Sequence, residues 1–550
     1  MAGLSEPTPP VTARAFPIEA SGVVPSDGDG RIPNPATPDG APWRQAPPCT
    51  TTVTAGPAGG SAAVNRLVAA TENRMTRSLA ICLAGTFRSP LKIWGKYSPA
   101  LLTIEPAPRA FATLAVGAVQ ASDVSPNEYD GVAGAVSIVD SRGVQIRGLT
   151  ITGYHTEGTT ETPAGIYVEE RANGFGGRPS VCFTQGDHAC ADIYLIDNRI
   201  THIANLADTV ANRRTWCNNG SVDAFGIEVE SYGRGAAGAL QHVAVVGNEI
   251  LDTRTGQSET LAVNGDVKDF LVAGNRIRNT DNIGIDTEGW YDGTAQANHG
   301  LVLDNLVANV DTWSNRAYGV WNPSTGTCQP LSPNAAGIYD DGAAYIWIAG
   351  NVVANTDQGI SLDTETPHHF TNDILVSHNR VWDGPGTRLG DPSFGPNPPG
   401  VPGRSQVSGH AYDAFYVDAF GPGSRIFDVY AYDNVFMNAS RYFGGRRRHH
   451  VDVVDFGGQW SHVVLWDNTV IGGGAADPWG FALGVDNWPT TKAGTAINCT
   501  WYRSLSSVNP NFSVPGATYQ TLRAWQKGNG AGWDSLSTVS GPPACPQAIP

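Results

Sequence analysis

Long apolar runs are missing from this 550-residue chain. No stretch reaches the roughly 18 consecutive apolar residues of a transmembrane helix, so no membrane partner is expected. A basic excess is missing as well: 35 Lys and Arg face 51 Asp and Glu, a formal charge of −16. Nucleic-acid affinity rests on clustered positive charge, which excludes a phosphate-backbone partner. The same balance disfavours a polyanionic substrate unless a cation mediates. The eight cysteines contain no CxxC, so zinc-type spacing is absent. An even set without that spacing reads as disulfides formed in an oxidising compartment. Cys182 with Cys190, and Cys499 with Cys545, are pairings the spacing permits. There is no G-x-S-x-G elbow, no P-loop and no dinucleotide fingerprint between a strand and a helix. The start, MAGLSEPTPPVTARAFP, lacks the basic and apolar regions of a secretory signal. The expectation is a secreted, extracellular protein whose signal has been removed.

What is present is repetition. Eight times a short apolar run ends in a small, acidic or histidine residue, then an asparagine, then another apolar stretch. The asparagines are Asn198, Asn248, Asn275, Asn305, Asn351, Asn379, Asn434 and Asn468. Their steps are 50, 27, 30, 46, 28, 55 and 34 residues. Short steps suit one coil of a repeat; long steps suit two coils, or one coil with an insertion. Asn tolerates left-handed backbone at a tight corner, and its amide can bond to the same amide one coil above. The fold expected is all-β: a single-stranded right-handed parallel β-helix, a solenoid. Its 65 Gly and 38 Pro suit a chain turning several sharp corners per coil.

Three regions follow. Residues 1–60 form an irregular leader, residues 61–475 the parallel β-helix, and residues 476–550 a C-terminal cap. Apolar positions at helical spacing from Ala62 onward predict a helix covering the first open coil. TLRAWQKGNGAGWDSLS (521–537) predicts a terminal helix. Inserts at Phe175–Ala191 and Gly384–Gln406 read as projecting loops, the second too rich in Pro for a sheet interior.

A second pattern bears on function. A Gly-Ile-x-x-acid frame recurs at Glu169, Glu230, Glu288, Asp341 and Asp363, with Asn264 and Asp418 in variant frames. Within each frame the Ile faces inward, and residues one and three places later face outward. Coils stack about 4.8 Å apart. The outward residues therefore predict one ladder, Glu169-Glu230-Asn264-Glu288-Asp341-Asp363-Asp418. They predict a second beside it, Tyr167-Glu228-Ala262-Asp286-Tyr339-Ser361-Tyr416. Stacked like charges repel and raise one another's pKa, so an unmixed acidic column marks a candidate site.

The middle rungs carry the chemistry. Asp340, Asp341 and Asp363 are the candidate acid/base or nucleophile set, with Asp286 and Glu288 assisting. Strict alternation turns Asp340 inward, so its use requires a bulge. Adjacent rungs separate carboxylates by about 5 Å and a skipped rung by about 9–10 Å, so retaining and inverting sugar hydrolysis are both available. Trp290, Tyr291 and Tyr339 would stack on sugar rings, and Glu230, Glu365 and His368 are further substrate contacts. Adjacent histidines (His368–His369, His449–His450) point to opposite faces of a strand, so no metal ligands are assigned.

With these motifs in place, the chain resembles bacterial right-handed parallel β-helix repeat proteins. That broad class contains polysaccharide lyases and several glycoside hydrolases. The resemblance rests on NGDVKDFLVAGNRIRNTDNIGIDTEG (264–289) and AAGIYDDGAAYIWIAGNVVANTDQGISLDTET (335–366), and covers roughly residues 80–540. It implies extracellular carbohydrate processing on a polysaccharide or oligosaccharide partner. Polygalacturonase-like hydrolases use aspartates from neighbouring strands, an arrangement that Asp340, Asp341 and Asp363 would reproduce. Pectate-type lyases instead pair calcium-binding aspartates with a Lys or Arg base, and the inferred ladders hold neither. The reading is a monomeric glycoside hydrolase needing no cofactor. The alternatives are a calcium-assisted polyuronate lyase and a non-catalytic glycan-binding surface protein.

Overall fold

The computed structural model describes residues 47–539 with interruptions, the longest at 171–189, 384–412, 439–453, 472–481 and 486–495. Short strands of the 2-residue alternation pair in parallel with their counterparts one coil away, forming a 13-stranded and a 24-stranded sheet. The larger sheet comprises two ribbons joined at a tight corner; Ala191–Ile196, for example, is followed after two residues by Arg199–Thr201. The chain is a parallel β-helix, right-handed as connections between parallel strands almost invariably are. Buried apolar side chains form one core from Val64 to Trp525 along its axis.

All eight asparagines occupy the same corner of successive coils. Each Nδ2 donates to the Oδ1 of the next asparagine at 2.9–3.0 Å, without a break from Asn198 to Asn468. The steps of 50, 46 and 55 residues are therefore single coils with insertions. Left-handed backbone falls elsewhere than expected. It belongs to the residue before each asparagine: Asp197, Gly247, Gly274, Asp304, Gly350, His378, Asp433 and Asp467, with φ from 50° to 69°. The asparagine itself must keep its side chain inside the corner, so the preceding residue takes the αL turn. This accounts for the small, acidic or histidine residue at that position.

The Gly of the Gly-Ile frame marks a close approach between coils. A Cβ on Gly284 would lie 2.5 Å from both the Gly337 carbonyl oxygen and Val307 Cγ1. At the N-terminal end, helix Ala62–Thr71 buries Val64 and Val68 against the core. At the other end the solenoid runs past residue 475. Strands Leu483–Val485, Ala496–Asn498 and Trp501–Arg503 each pair in parallel with the preceding coil. There the asparagine corner is held by Thr500, the residue before Trp501, which is why the sequence pattern fades one coil early. Helix Leu522–Lys527 follows, its N-cap Thr521 accepting from Ala524 N at 3.1 Å.

Disulfides join Cys49 to Cys82 and Cys217 to Cys328, and Cys190 is also bonded. Cys182, Cys499 and Cys545 lie outside the described residues. No helix among the described residues is long and apolar enough to cross a membrane.

Candidate functional site

The acidic column lies on the outward face of the 13-stranded sheet. Paired residues run Glu169-Glu230-Asn264-Glu288 on one ladder and Tyr167-Glu228-Ala262-Asp286-Tyr339 on the other. Beyond them Asp341 pairs with Asp363 and Asp363 with Asp418, while Tyr339 continues to Ser361 and Tyr416. The second ladder matches the rungs read from the alternation, while the first is interrupted between Glu288 and Asp341, where Glu288 bridges Gly342 instead. The register also extends the second ladder down through Ser137 to Lys92. That lysine lies five rungs from Asp286, about 24 Å at the usual strand spacing, and is paired with Asp123 at 3.6 Å.

Asp340 goes the other way. It pairs with Thr287 and Leu362 on the core-facing side, with no bulge between Tyr339 and Asp341, and is fully buried. Thr287 Oγ1 donates to its Oδ2 at 2.9 Å. Burial pushes its carboxyl up to about 8, with the Asp341 charge adding to the rise. Asp340 is a core residue outside the groove, and burial favours its protonated form. The expectation that it joins the outward set is corrected by plain strand alternation.

The outward carboxylates are crowded. Asp341 is buried, and its Oδ1 accepts from the Glu365 backbone N at 2.8 Å. Burial first, then the Glu365 charge, raises it to about 7. Asp363 accepts from Thr364 N at 2.6 Å and is raised by burial and by Asp341. Asp286 and Glu288 are raised by burial and then by Glu259. Glu259, in the turn before strand Leu261–Gly265, is itself raised to about 8, by burial ahead of neighbouring carboxylates. Oxygens of Glu259, Asp286 and Glu288 all lie within 4.8 Å of one another. Glu230 is buried, and its two oxygens accept from the hydroxyls of Tyr167 and Tyr232.

The aromatics divide. Trp290 stands in left-handed backbone at φ 68°, where a bulky residue is a rarity. One face of its indole stacks on His369, with centroids 4.5 Å apart, and its Nε1 donates to the Phe370 carbonyl. The indole is half-buried, and Phe370 packs against it at a steep angle with centroids 5.3 Å apart. Tyr339, expected to stack on sugar, is buried; its hydroxyl donates to Glu365 at 2.9 Å and holds that exposed carboxylate in place. His368 is exposed, next in the chain to Trp290's partner His369. Tyr291, the histidines 449 and 450, the insert Gly384–Gln406 and the first insert as far as residue 189 lie outside the described residues.

Glu259 and Tyr318 escaped the sequence reading. Tyr318, at the end of the short helix Arg316–Tyr318, is raised by burial and by Glu259. Counted along its strand, Glu259 shares the parity of inward Leu261 and Val263. It precedes the strand, however, and a turn does not keep the alternation.

Chemically, this groove can hold protons between neighbouring carboxyls, and it can hold a cation. No family model matches the chain. Over 135 residues it is 33% identical to the uncharacterized protein YwoF of Bacillus subtilis (strain 168), a stretch covering 24% of this chain and 27% of that protein. Among solved structures, it is similar to GH136 lacto-N-biosidase from Eubacterium ramulus, at 11% identity and TM-score 0.41, over 85% of this chain and 67% of that one. It is also similar to the A-module of the Azotobacter vinelandii mannuronan C-5 epimerase AlgE6, at 9% identity and TM-score 0.43, over 82% and 92%. The exopolygalacturonase from Thermotoga maritima is similar at 9% identity and TM-score 0.35, over 87% and 95%.

Proposed function

We propose that the chain is an extracellular glycoside hydrolase acting on a polysaccharide or oligosaccharide laid along the acidic groove. The observation that carries this reading is the in-register pair Asp341 and Asp363, outward neighbours on adjacent strands. Adjacent strands lie about 5 Å apart, close to the carboxyl separation of a nucleophile and an acid in retaining sugar hydrolysis. Burial and then the Glu365 charge raise Asp341, and burial and then the Asp341 charge raise Asp363, so this pair favours holding a proton. The protonated member donates to the departing glycosidic oxygen, and the ionised member attacks the anomeric carbon. Glu365, held by the Tyr339 hydroxyl, helps raise Asp341 and so favours the proton there. Trp290 offers an apolar edge to a pyranose ring. Two disulfides among the described residues support an oxidising, extracellular setting.

A lyase reading is supported by the Glu259-Asp286-Glu288 cluster, which suits a cation. Its base would have to come from a loop, since no Lys or Arg stands on either ladder between Glu169 and Asp418. A polysaccharide panel assayed at once for reducing ends and unsaturated products, with and without chelator, separates the two. Asp341→Asn should lower turnover at least a thousandfold. Its thermal midpoint should be no lower than that of the native chain, since the substitution removes a crowded buried acid. Full activity in that variant removes Asp341 from the mechanism.

A further inference from the structure

We propose that the glycan taken by this groove is a polymer of amino sugars with free, protonated amines, and that Glu259, Asp286 and Glu288 receive one of those ammonium groups. This inference rests on the reading of the groove as a glycan site and names the class of glycan. From Glu169 to Asp418 the two outward ladders carry acids and no Lys or Arg. A polyuronate brings its own carboxylates against that wall, and like charges facing each other across an interface repel. A neutral sugar offers hydroxyl donors but leaves the charge of the wall uncompensated. An ammonium group does both, with three N–H donors and a positive charge, and its bonds to carboxylates are charge-assisted.

Crowding of acids is not the whole case, because two outward side chains on this wall lack partners of their own. Asp286 is 2% exposed, and its Oδ1 is buried with no hydrogen-bond partner among the described residues. Ser361, two rungs further along the same ladder, is fully buried with its Oγ likewise unpartnered. Buried polar atoms in a folded protein ordinarily have a partner, so such atoms on a groove wall point to a missing ligand. The subsite itself comes from two coils. Asp286 and Glu288 are alternate outward residues of strand Ile285–Glu288, and Glu259 reaches in from the turn before the preceding rung. Their carboxylates lie close enough to serve one ligand together. The neighbouring charges that raise these three come from other carboxylates, Asp341 and Glu365 among them, so no side chain supplies the compensating charge. Asp286 also pairs with Tyr339 on the strand that carries Asp341. The amine held there would belong to a sugar next to the bond that Asp341 and Asp363 act on.

The experiment uses the full chain with chelator present, so that no divalent ion bridges acid to sugar. Hexasaccharides of β-1,4-glucosamine and α-1,4-galactosamine are titrated by calorimetry at pH 6.5, each beside its N-acetylated form, with oligogalacturonate as the anionic comparison. At least one free-amine oligomer should bind tenfold or more tightly than its N-acetylated form, and the uronate should bind more weakly than either. Asp286→Asn should weaken free-amine binding at least tenfold. Asp197→Asn removes an exposed charge at the asparagine corner and should change that binding less than twofold. Equal losses in the two variants would mean a general attraction of polycations to an acidic chain, and would overturn the assignment. So would N-acetylated oligomers that bind as tightly as the free amines, or no binding of either free-amine oligomer. Should Asp286→Asn fail to fold, Glu259→Gln, on a half-buried turn, takes its place. Reducing ends are followed in the same samples. Free-amine binding without cleavage refutes the hydrolase reading alone, and cleavage of neutral glycans with no preference for the amine refutes this inference alone.

Discussion

Replacing Asp340 by Asn separates a core acid from a catalytic one. The side chain faces inward, touches Thr287, and is raised to about 8. A free aspartate titrates near 3.9, so the shift is about four pK units, and at 1.36 kcal/mol per unit it amounts to about 5 kcal/mol. The sign follows from linkage. The folded chain holds this proton more tightly than the unfolded chain, so the stability it contributes is complete below pH ~4. That contribution fades as pH rises through about 8. Asparagine keeps an acceptor for Thr287 and carries no charge at any pH. The native chain and Asp340→Asn should therefore have similar guanidinium midpoints at pH 4–5. By pH 9 the variant should be the more stable by about 5 kcal/mol, with turnover retained throughout. Parallel stability curves for the two proteins would refute the burial argument. Loss of turnover in a folded Asp340→Asn protein would return Asp340 to the reacting groups.

Asn305→Ala removes the donor to Asn351 and to the Val272 carbonyl, and the acceptor for Asn275's backbone and side-chain amides. It should cost about 3–5 kcal/mol in guanidinium denaturation, since several buried polar groups lose their partner. Asn309→Ala, on the more exposed asparagine row above Asn279, should cost under about 1 kcal/mol, and equal losses would contradict the inner ladder's importance. Gly284→Ala forces a methyl to 2.5 Å from the Gly337 carbonyl oxygen. It should destabilise by about 2–3 kcal/mol, and an unchanged thermal midpoint would show that the coils separate more easily than their packing implies.

Two regularities made most of this molecule legible in its sequence. Side chains alternate with a period of two along any strand, and an asparagine returns at one corner of every coil. Together they fix which residues share a ladder, so Asp286 and Tyr339, and Asp341 and Asp363, could be placed on one wall from spacing alone. The coil at Ala496–Asn498 was hidden because Thr500 stands where the pattern calls for asparagine. Tyr339 could be assigned its face, but its burial depends on the groove's neighbours, and these turn its ring from a sugar platform into a support for Glu365. Likewise the sequence marks Trp290 as an aromatic beside acids, and only the folded corner brings His369 against it across 79 residues of chain.

The sequence by itself determined the spiral, its register and the order of the acids, because these follow from local alternation repeated at each coil. The tertiary structure decided which acids meet. Glu259 joins Asp286 and Glu288 through a turn whose path no periodicity encodes. The depth of each carboxyl, and so whether it holds a proton, is set by everything packed around it.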